Sequence, residues 1–459
     1  MSLPVHATLT RLEEIAGPAN VSTDRNDVAS RRVDGLCPSA VVRPADAAQI
    51  GEIVRFAVAE RLALIPCGSG TKLGIGSPPS RYDIALDVSR LNRVLAYDPR
   101  DLTLGVEPGM PIEELLRVLA EQGQFLPLSV PFADRATIGG IVAANSSSPL
   151  RHAYGGIRDF CLGMEFVTGE GTMAKSGGRV VKNVTGYDLH KLLIGSLGTL
   201  AVITRVNFRT FPLPPSQGTF AASFADSETA FGFCRAIAHS VLTPQMVEVA
   251  SPGAAHLLFS SATSARIEPR FWSVIVSAAG QPEVVDRHRH ELGHMATKAA
   301  AEEFVSLGDS EAQSIWSRVR EFPKIIIEGA PSATIFRIGT VPTAMPKLIA
   351  ELAGIAKRER FDFITLTRAS GLVHAALLPE EGDDSSFTAM SKMVAEVFNA
   401  CGNSDIDASA MLEWCPAELK TAAGGVWGPQ RNDFALMQRV KTAFDPRGVL
   451  SPGRFAGGI

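Results

Sequence analysis

Apolar residues recur at helical spacing near the start of the chain. Between residues 44 and 61 they follow the i, i+3, i+4 pattern that one buried face of an α-helix requires. A second helix is predicted over 111–122, where a proline opens the segment and a glycine follows it. Short apolar runs predict strands at 62–66, 84–88 and 102–106. This part of the chain therefore mixes helices and strands in an α+β order.

A second group of elements follows a cluster of prolines at 212–215, which interrupts the strand pattern. The periodicity then predicts strands at 272–278, 334–339 and 372–378 and helices at 281–298 and 343–358. A helix beginning near Asp433 and a coil rich in proline and glycine complete the chain. The pattern predicts an α+β protein in three parts, which are residues 1–215, 216–415 and 416–459.

Composition narrows the classes of function. The 459 residues are 46% hydrophobic and 20% charged, as in ordinary globular proteins, and the net charge of −4 does not favour nucleic acid as a partner. No apolar stretch approaches the roughly 18 residues of a membrane-spanning helix. The six cysteines include no CxxC pair, so the spacing provides neither a zinc ribbon nor an iron–sulfur site. Scattered cysteines and a start without a secretory signal predict a cytoplasmic protein.

Four glycine-rich stretches carry the candidate chemistry. The first, PCGSGTKLG at 66–74, follows a predicted strand, and consecutive backbone N–H groups of such a loop can hold a pyrophosphate. Taken alone it is equally consistent with an ordinary tight turn, because it lacks the endings of a P-loop and of a Rossmann turn. The other stretches are ATIGGIVAAN at 136–145, RHAYGGIRD at 151–159, and VKNVTGYDL at 181–189 with GSLGTLAVIT at 195–204.

In this order and spacing the four stretches resemble the FAD-binding fold shared by vanillyl-alcohol oxidase, D-lactate dehydrogenases and glycolate oxidase. The resemblance covers about 37–215, and the tail FDPRGVLSPGR at 444–454 is similar to the family's C-terminal ending. The run GGRVVKNVTGYD at 177–188 most closely resembles the FAD-binding E subunit of the bacterial glycolate oxidase complex. The resemblance implies a two-subdomain FAD-binding fold in 1–215, an α+β cap in 216–415, and a segment, 416–459, that returns to the FAD domain.

The resemblance also implies which residues hold FAD. Cys67 to Leu73 would bind the pyrophosphate through backbone N–H groups, and the later stretches would line the rest of the cofactor. The implied cofactor-binding set is Cys67, Gly68, Ser69, Gly70, Thr71, Lys72, Leu73, Pro131, Thr137, Ile138, Gly139, Gly140, Ala143, Ala144, Asn145, Arg151, Tyr154, Gly155 and Ile203. The first loop lacks the histidine that covalent relatives carry there, so non-covalent FAD is expected.

The cap departs from the pattern of catalytic relatives. Those relatives carry HxGDGNLH and GEHG motifs that form a metal and substrate site, whereas this chain keeps only His374 and Glu413. No metal site is expected here. His374 is a candidate base, and Arg337 is a candidate clamp for a substrate carboxylate. The alternatives are a structural histidine in an apolar strand and a surface arginine on an edge strand.

This reduced pattern implies an FAD-binding subunit of a 2-hydroxy-acid oxidase or dehydrogenase complex acting on glycolate or D-lactate. It would work beside a catalytic flavoprotein subunit and an iron–sulfur subunit, in the cytoplasm or peripherally on the cytoplasmic face of the membrane. One alternative is a self-sufficient FAD-dependent 2-hydroxy-acid oxidase, and another is a non-catalytic assembly subunit. A remote alternative is a zinc metalloprotease, since His290, Glu291 and His294 form an HExxH motif, although no third ligand is evident.

Overall fold

The chain begins with a small sheet flanked by helices. The computed structural model describes residues 5–180, 186–259, 268–379, 387–403, 406–430 and 432–459. Strands β2, β4 and β3 pair in parallel, and β1 adds an antiparallel edge, in the order β1-β2-β4-β3. The elements of this region are α1 (Val5–Ala16), β1 (Val21–Ser22), α2 (Arg25–Ser30), β2 (Ala40–Val42), α3 (Ala47–Glu60), β3 (Leu64–Cys67) and β4 (Ile84–Asp87).

Helix α3 shows why the hydrophobic pattern predicts this layer. The Asp46 side chain accepts a hydrogen bond from the Gln49 backbone N–H and caps the start of the helix. Ile50, Ile53 and Val54 are fully buried and pack with the β3 and β4 residues of the same core. The predicted helix over 44–61 is therefore present, and its apolar face covers the sheet.

A second, antiparallel sheet follows, in the order β5-β6-β10-β8-β9. Short strands β7 and β11 pair separately beside it. The elements are β5 (Val94–Asp98), β6 (Thr103–Val106), α4 (Ile112–Ala120), β7 (Gln124–Phe125), α5 (Ile138–Ala143), α6 (Arg151–Tyr154), α7 (Ile157–Phe160), β8 (Cys161–Thr168), β9 (Met173–Gly177), α8 (Leu189–Leu193), β10 (Ala201–Arg209) and β11 (Phe211–Pro212). Residues 181–185, which belong to the fourth glycine-rich stretch, lie outside the described residues.

The following segment forms an eight-stranded antiparallel sheet in the order β15-β12-β14-β13-β17-β18-β16-β19. Its elements are β12 (Ser216–Phe224), α9 (Ser227–Ala238), β13 (Met246–Ala250), α10 (Pro252–Phe259), β14 (Trp272–Gly280), α11 (Pro282–Lys298), β15 (Glu303–Leu307), α12 (Asp309–Arg320), α13 (Phe322–Gly329), β16 (Thr334–Gly339), α14 (Met345–Glu359), β17 (Phe361–Arg368), β18 (Leu372–Pro379), α15 (Phe387–Cys401) and β19 (Ser409–Trp414).

The two faces of this sheet have different neighbours because strand side chains alternate. One face buries Phe220, Phe224 and Phe336 in cores shared with α9, α11, α14 and α15. The other face is covered partly by α10, α12 and α13 and partly by the first half of the chain. The interpretation of Arg337 as an edge-strand residue is wrong, since β16 lies between β18 and β19.

The last part of the chain returns to the first sheet. Here α16 (Ala417–Ala422) and α17 (Phe434–Phe444) precede a short bridge, in which the Leu64 N–H donates to Val449 O and the Ser451 N–H donates to Leu64 O, both at 2.8 Å. Three 3₁₀ turns, Pro18–Asn20, Pro342–Ala344 and Ala456–Gly458, complete the helical elements of the described residues. The mixed α+β class is confirmed, while the boundaries at 215 and 415 stay a prediction. No helix in the described ranges is both long and apolar enough to cross a bilayer.

Candidate functional site

The glycine loop, residues 67–73, begins where β3 ends. Gly70 has a φ of 83°, in the left-handed region that glycine adopts without strain. A Cβ on Gly68 would overlap the side chain of Thr137, which precedes helix α5. Both glycines are therefore required for the loop to turn and to pack closely on the second glycine-rich stretch.

Three cavities, which together we name the track, are lined by this loop, by the glycine-rich 136–145 stretch and by residues of the eight-stranded sheet. A cavity of about 70 Å³ is lined by the whole glycine loop together with Thr137, Gly140, Ala143 and Ala144. A neighbouring cavity of about 60 Å³ shares part of this lining and extends to Gly139 and Ile203. A third cavity of about 650 Å³, here named the large cavity, has a wall that includes Asn145, Ser147, Arg151, Arg337 and Met411. Its wall begins at Asn145, the residue that follows Ala144 in the wall of the first cavity.

The loop end of the track has the donors that a diphosphate requires. The Ser69 hydroxyl is buried and has no hydrogen-bond partner among the described residues. The Arg31 guanidinium lies against Gly70, and its Nη2 donates to Asp87 Oδ2 at 2.8 Å. Burial lowers the pKa of Lys72 to about 8, although Glu413 and Glu321 oppose that shift. Backbone N–H groups, a free hydroxyl and a nearby cation are suited to a phosphate anion.

Five neighbouring strands of the eight-stranded sheet place ionisable side chains on the face that meets the first half of the chain. We name this group the ionic row, and in the order β13-β17-β18-β16-β19 it consists of Glu248, Arg368, His374, Arg337 and Glu413. Glu248 lies opposite Arg368 in the strand register, and Arg337 lies opposite His374. Side chains that share a face at such positions are in reach of each other.

The two arginines of the row bridge to the end of helix α5. Arg337 Nη1 donates to the carbonyl oxygens of Ala144 and Asn145, each at 3.3 Å, and lies 3.3 Å from Glu413 Oε1. Arg368 Nη2 donates to Ser147 O at 3.3 Å. The glycine-rich 136–145 stretch is therefore attached to the sheet through guanidinium groups, one of which forms part of the large cavity's wall.

Burial controls the electrostatics of the row. The exposed fraction is 0% for Glu248, 4% for Arg368 and 6% for His374. Burial raises the pKa of Glu248 to about 7 against the opposing effect of Arg368. Burial, helped by the charges of Arg368 and Arg337, holds the pKa of His374 well below its usual 6.5. At neutral pH the imidazole is therefore neutral, and the charges of the two guanidinium groups are offset by the neighbouring Glu413 and Glu248 carboxyl groups.

Most residues of the expected cofactor-binding set line the track. These are the whole glycine loop, Thr137, Gly139, Gly140, Ala143, Ala144, Asn145, Arg151 and Ile203, with Gly155 in a small niche beside Arg151. Their roles stay a prediction.

Four expected residues lie elsewhere. Ile138 is fully buried in the core, because the turn of α5 directs its side chain away from the track. Tyr154 packs against Phe125 and Phe211, and its hydroxyl accepts a hydrogen bond from Gln245. The Pro131 carbonyl accepts a hydrogen bond from Lys72, and His374 lies behind the wall of the large cavity.

The HExxH motif lies on α11, far from the track in sequence and on a solvated surface. His290, Glu291 and His294 are all exposed. Within the described ranges no group of three His, Cys, Asp or Glu side chains is arranged to hold a metal ion. The motif therefore gives no support to the metalloprotease hypothesis.

Sequence reasoning missed Arg31, Glu248 and Arg368. Glu248 was detectable, since it is the one charge in an otherwise apolar strand, and charged residues are rarely buried without a partner. Arg368 was less evident, because its strand also carries Asp362. Arg31 gave no signal, because it lies 39 positions before Gly70 and no local pattern connects them.

Comparison with known families covers most of the chain. A family model described as "FAD binding domain" matches residues 38–177, and one described as "FAD linked oxidases, C-terminal domain" matches residues 213–404 and 429–455. Among solved structures, p-cresol methylhydroxylase with substrate bound superposes with a TM-score of 0.77 at 17% identity, covering 98% of this chain and 96% of that one. The expected vanillyl-alcohol-oxidase type of fold, with FAD as its cofactor, is confirmed.

Curated relatives match over nearly the full length. "Glycolate oxidase subunit GlcD" of Bacillus subtilis is 24% identical, covering 91% of this chain and 88% of the relative. "D-2-hydroxyglutarate dehydrogenase" of Xanthomonas citri pv. viticola is 28% identical, covering 91% and 89%. "Glycolate oxidase subunit GlcE" of Escherichia coli is 37% identical but covers only 36% of this chain and 46% of the relative. The resemblance to the E subunit as a whole is therefore wrong. The 177–188 run that favoured it is too short to distinguish subunits of one fold.

Proposed function

The chain is an FAD-dependent oxidoreductase of the vanillyl-alcohol-oxidase fold, and from this premise we propose that it oxidises a small 2-hydroxy acid to the 2-oxo acid without an obligatory partner subunit. Two full-length relatives carry names of enzymes or subunits that act on glycolate and D-2-hydroxyglutarate, which are both 2-hydroxy acids. The observation that carries the proposal is Arg337, a guanidinium in the wall of the large cavity beside the buried pair His374 and Glu413.

Arg337 has the chemistry to bind the substrate carboxylate. A guanidinium presents parallel N–H donors that match the two oxygens of a carboxylate. The backbone carbonyls of Ala144 and Asn145 and the Glu413 carboxylate fix its position. An acid held there would have its C2 hydroxyl near the His374 and Glu413 pair, which would take the hydroxyl proton. Bound FAD would supply the acceptor for the hydride that leaves C2.

The residues that would hold FAD are those of the track. The glycine loop would bind the diphosphate through its backbone N–H groups and the Ser69 hydroxyl, with Arg31 as a nearby positive charge. Gly139, Gly140 and Ile203 would line one end of the cofactor, and Asn145 and Arg151 the other. The glycine loop contains no histidine, which supports non-covalent binding.

A role within a complex is the second candidate function. Two relatives, GlcD and GlcE, are named as subunits of glycolate oxidase. The six cysteines are all free and form no CxxC pair, so an iron–sulfur relay would have to belong to a partner. Free cysteines also support a cytoplasmic location, because disulfides are rare in the cytosol. The division of the chain into three parts at residues 215 and 415 remains a separate part of this proposal.

Anaerobic reduction of the purified flavoprotein tests the proposal. The chain is loaded with FAD and mixed with glycolate, D-lactate or D-2-hydroxyglutarate, with the L-enantiomers of the chiral acids as controls. Loss of the oxidised flavin absorbance, followed by steady turnover with a dye acceptor, is the expected result. If no 2-hydroxy acid reduces the flavin, the proposal fails. Reduction without turnover until partner subunits are added would favour the complex instead. Acid precipitation of the same sample should release the flavin into the supernatant.

A further inference from the structure

The two ring nitrogens of His374 face groups of opposite hydrogen-bonding character. Nδ1 lies 3.2 Å from Arg368 Nη1, and Nε2 lies 3.6 Å from Glu413 Oε2. A guanidinium has five N–H donors and no acceptor, so Nδ1 must accept the hydrogen bond. In a neutral imidazole the single ring proton then belongs to Nε2, on the side of Glu413.

We infer that Arg368 fixes His374 as the Nε2–H tautomer, which makes His374 a hydrogen-bond donor and leaves Glu413 as the proton acceptor of the site. The catalytic half of this inference rests on the proposed function, whereas the tautomer follows from the geometry alone. Arg368 and His374 are positioning residues in this arrangement. In the oxidation, the substrate O–H bond would break and its proton would pass to Glu413, and bound FAD would supply the acceptor for the hydride that leaves C2.

Arg368 is itself held in place on two sides. Its Nε lies 3.5 Å from Glu248 Oε1, and its Nη2 donates to Ser147 O at 3.3 Å. Neither oxygen of Glu248 has a hydrogen-bond partner among the described residues. No other group therefore pulls this carboxyl group away from Arg368. Glu248 is fully buried next to a guanidinium that is itself 4% exposed. Glu248 therefore acts through Arg368, as a further positioning residue.

The charges around His374 favour the neutral ring. From β17 and β16 it faces the guanidinium groups of Arg368 and Arg337, and from β19 it faces Glu413. A second proton on Nδ1 would stand directly against the Arg368 cation. Burial and both arginines hold the pKa of His374 well below its usual 6.5, which agrees with one proton on the ring near neutral pH.

The tautomer can be measured without any enzyme activity. The FAD-loaded chain is labelled with ¹⁵N-histidine, and two-dimensional spectra that connect ring protons to ring nitrogens report which nitrogen is protonated. The His374 signals are those that disappear in His374→Gln. The expected result is the Nε2–H tautomer from pH 6 to pH 8, and an Nδ1–H tautomer would overturn the inference even if no Arg368 variant folds.

Variants of Arg368 test its part in fixing the tautomer. In Arg368→Met we expect a mixture of tautomers and a His374 pKa that rises toward 6.5, while Arg368→Lys, which keeps a cationic donor, restores the wild-type spectrum. Arg205→Met is the matched control, because Arg205 pairs with Glu165 within the five-stranded sheet and is not part of the ionic row. An unchanged tautomer in Arg368→Met would show that Arg368 does not fix it.

Kinetics separate the two candidate proton acceptors. Glu413→Gln should lower kcat about 100-fold or more with little change in KM, as loss of a general base does. His374→Gln keeps an amide donor near Glu413 and should lower kcat by no more than about tenfold. An equal or larger loss in His374→Gln would make His374 the base and overturn the assignment. If no 2-hydroxy acid is oxidised at all, the proposed function fails while the tautomer result still stands.

Discussion

The glycine loop and the ionic row meet across one interface, yet they are built in opposite ways. The loop is seven consecutive residues whose backbone N–H groups form the proposed phosphate site, with Gly70 at a φ of 83°. The row is five side chains from five strands, spread from residue 248 to residue 413, and its groups gain their properties by burial. A backbone site is encoded locally in the chain, whereas a side-chain site of this kind exists only after the sheet has formed.

This difference predicts different responses to mutation. A change in the loop should affect cofactor binding and spare the chemistry of the sheet, while a change in the row should affect turnover and spare cofactor binding.

The largest effect is expected for Gly70→Val. The left-handed φ is strained for a β-branched residue, and the added side chain would lie beside Arg31 and Leu73, in the space proposed for the FAD phosphates. FAD affinity, measured by titration of the apoprotein, should fall at least about 100-fold. Gly123→Val is the control, because Gly123 has a φ of 64° with nothing near its Cβ position. Equal FAD affinity in Gly70→Val and wild type would exclude the loop as the phosphate site.

The next effect is expected for Arg337→Met. Loss of a bidentate guanidinium–carboxylate contact removes roughly 2–3 kcal/mol, so KM for the acid should rise about 30- to 150-fold. FAD affinity should stay within about twofold of wild type, in contrast to the loss of FAD affinity expected for Gly70→Val. An unchanged KM would show that Arg337 does not bind the substrate carboxylate. Loss of FAD binding would show that it serves the cofactor instead.

A smaller effect is expected for Arg31→Met. The guanidinium lies against Gly70, so one charge-assisted contact with a phosphate is lost, and FAD affinity should fall about tenfold. Arg43→Met is the matched control, because Arg43 pairs with the same carboxylate, Asp87, as Arg31 does. If both variants lower FAD affinity equally, the loss comes from the disturbed Asp87 carboxylate and not from a contact between Arg31 and the cofactor.

The smallest effect concerns the stability of the FAD-free chain at alkaline pH. The pKa of Lys72 is lowered from 10.5 to about 8, so between these values the unfolded chain holds a proton that the folded chain has lost. Stability should therefore rise with pH in that window, by about 1 kcal/mol because the side chain is partly exposed. Lys72→Met should flatten this rise in urea titrations at pH 8 and pH 10. An identical slope in both proteins would refute the assignment.

Features that are encoded in contiguous stretches could be predicted from the sequence, whereas features that depend on strand order could not. The strand predicted at 334–339 is β16 without any shift, and the glycine-rich stretches identified the flavin fold, because both are contiguous patterns. The environment of Arg337 was misjudged because its edge or interior position depends on β19, which pairs with β16 from about 70 residues downstream. Arg368 and Glu248 escaped notice for the same reason, since their pairing is a matter of strand order.

Two cations from the C-terminal part of the chain hold the end of the glycine loop and the three residues that follow it. Arg454 donates to the carbonyl oxygens of Leu73 and Ile75, and Lys420 donates to those of Gly74 and Gly76. During synthesis the loop emerges from the ribosome hundreds of residues before these two cations exist. The carbonyl groups of residues 73–76 gain these partners only when the C-terminal segment arrives, so a nascent chain that stops short of residue 454 lacks part of the hydrogen bonding that holds the end of the loop. Because this loop is our proposed diphosphate site, we expect FAD to be loaded only after residues 420–454 have been synthesised and have packed against it.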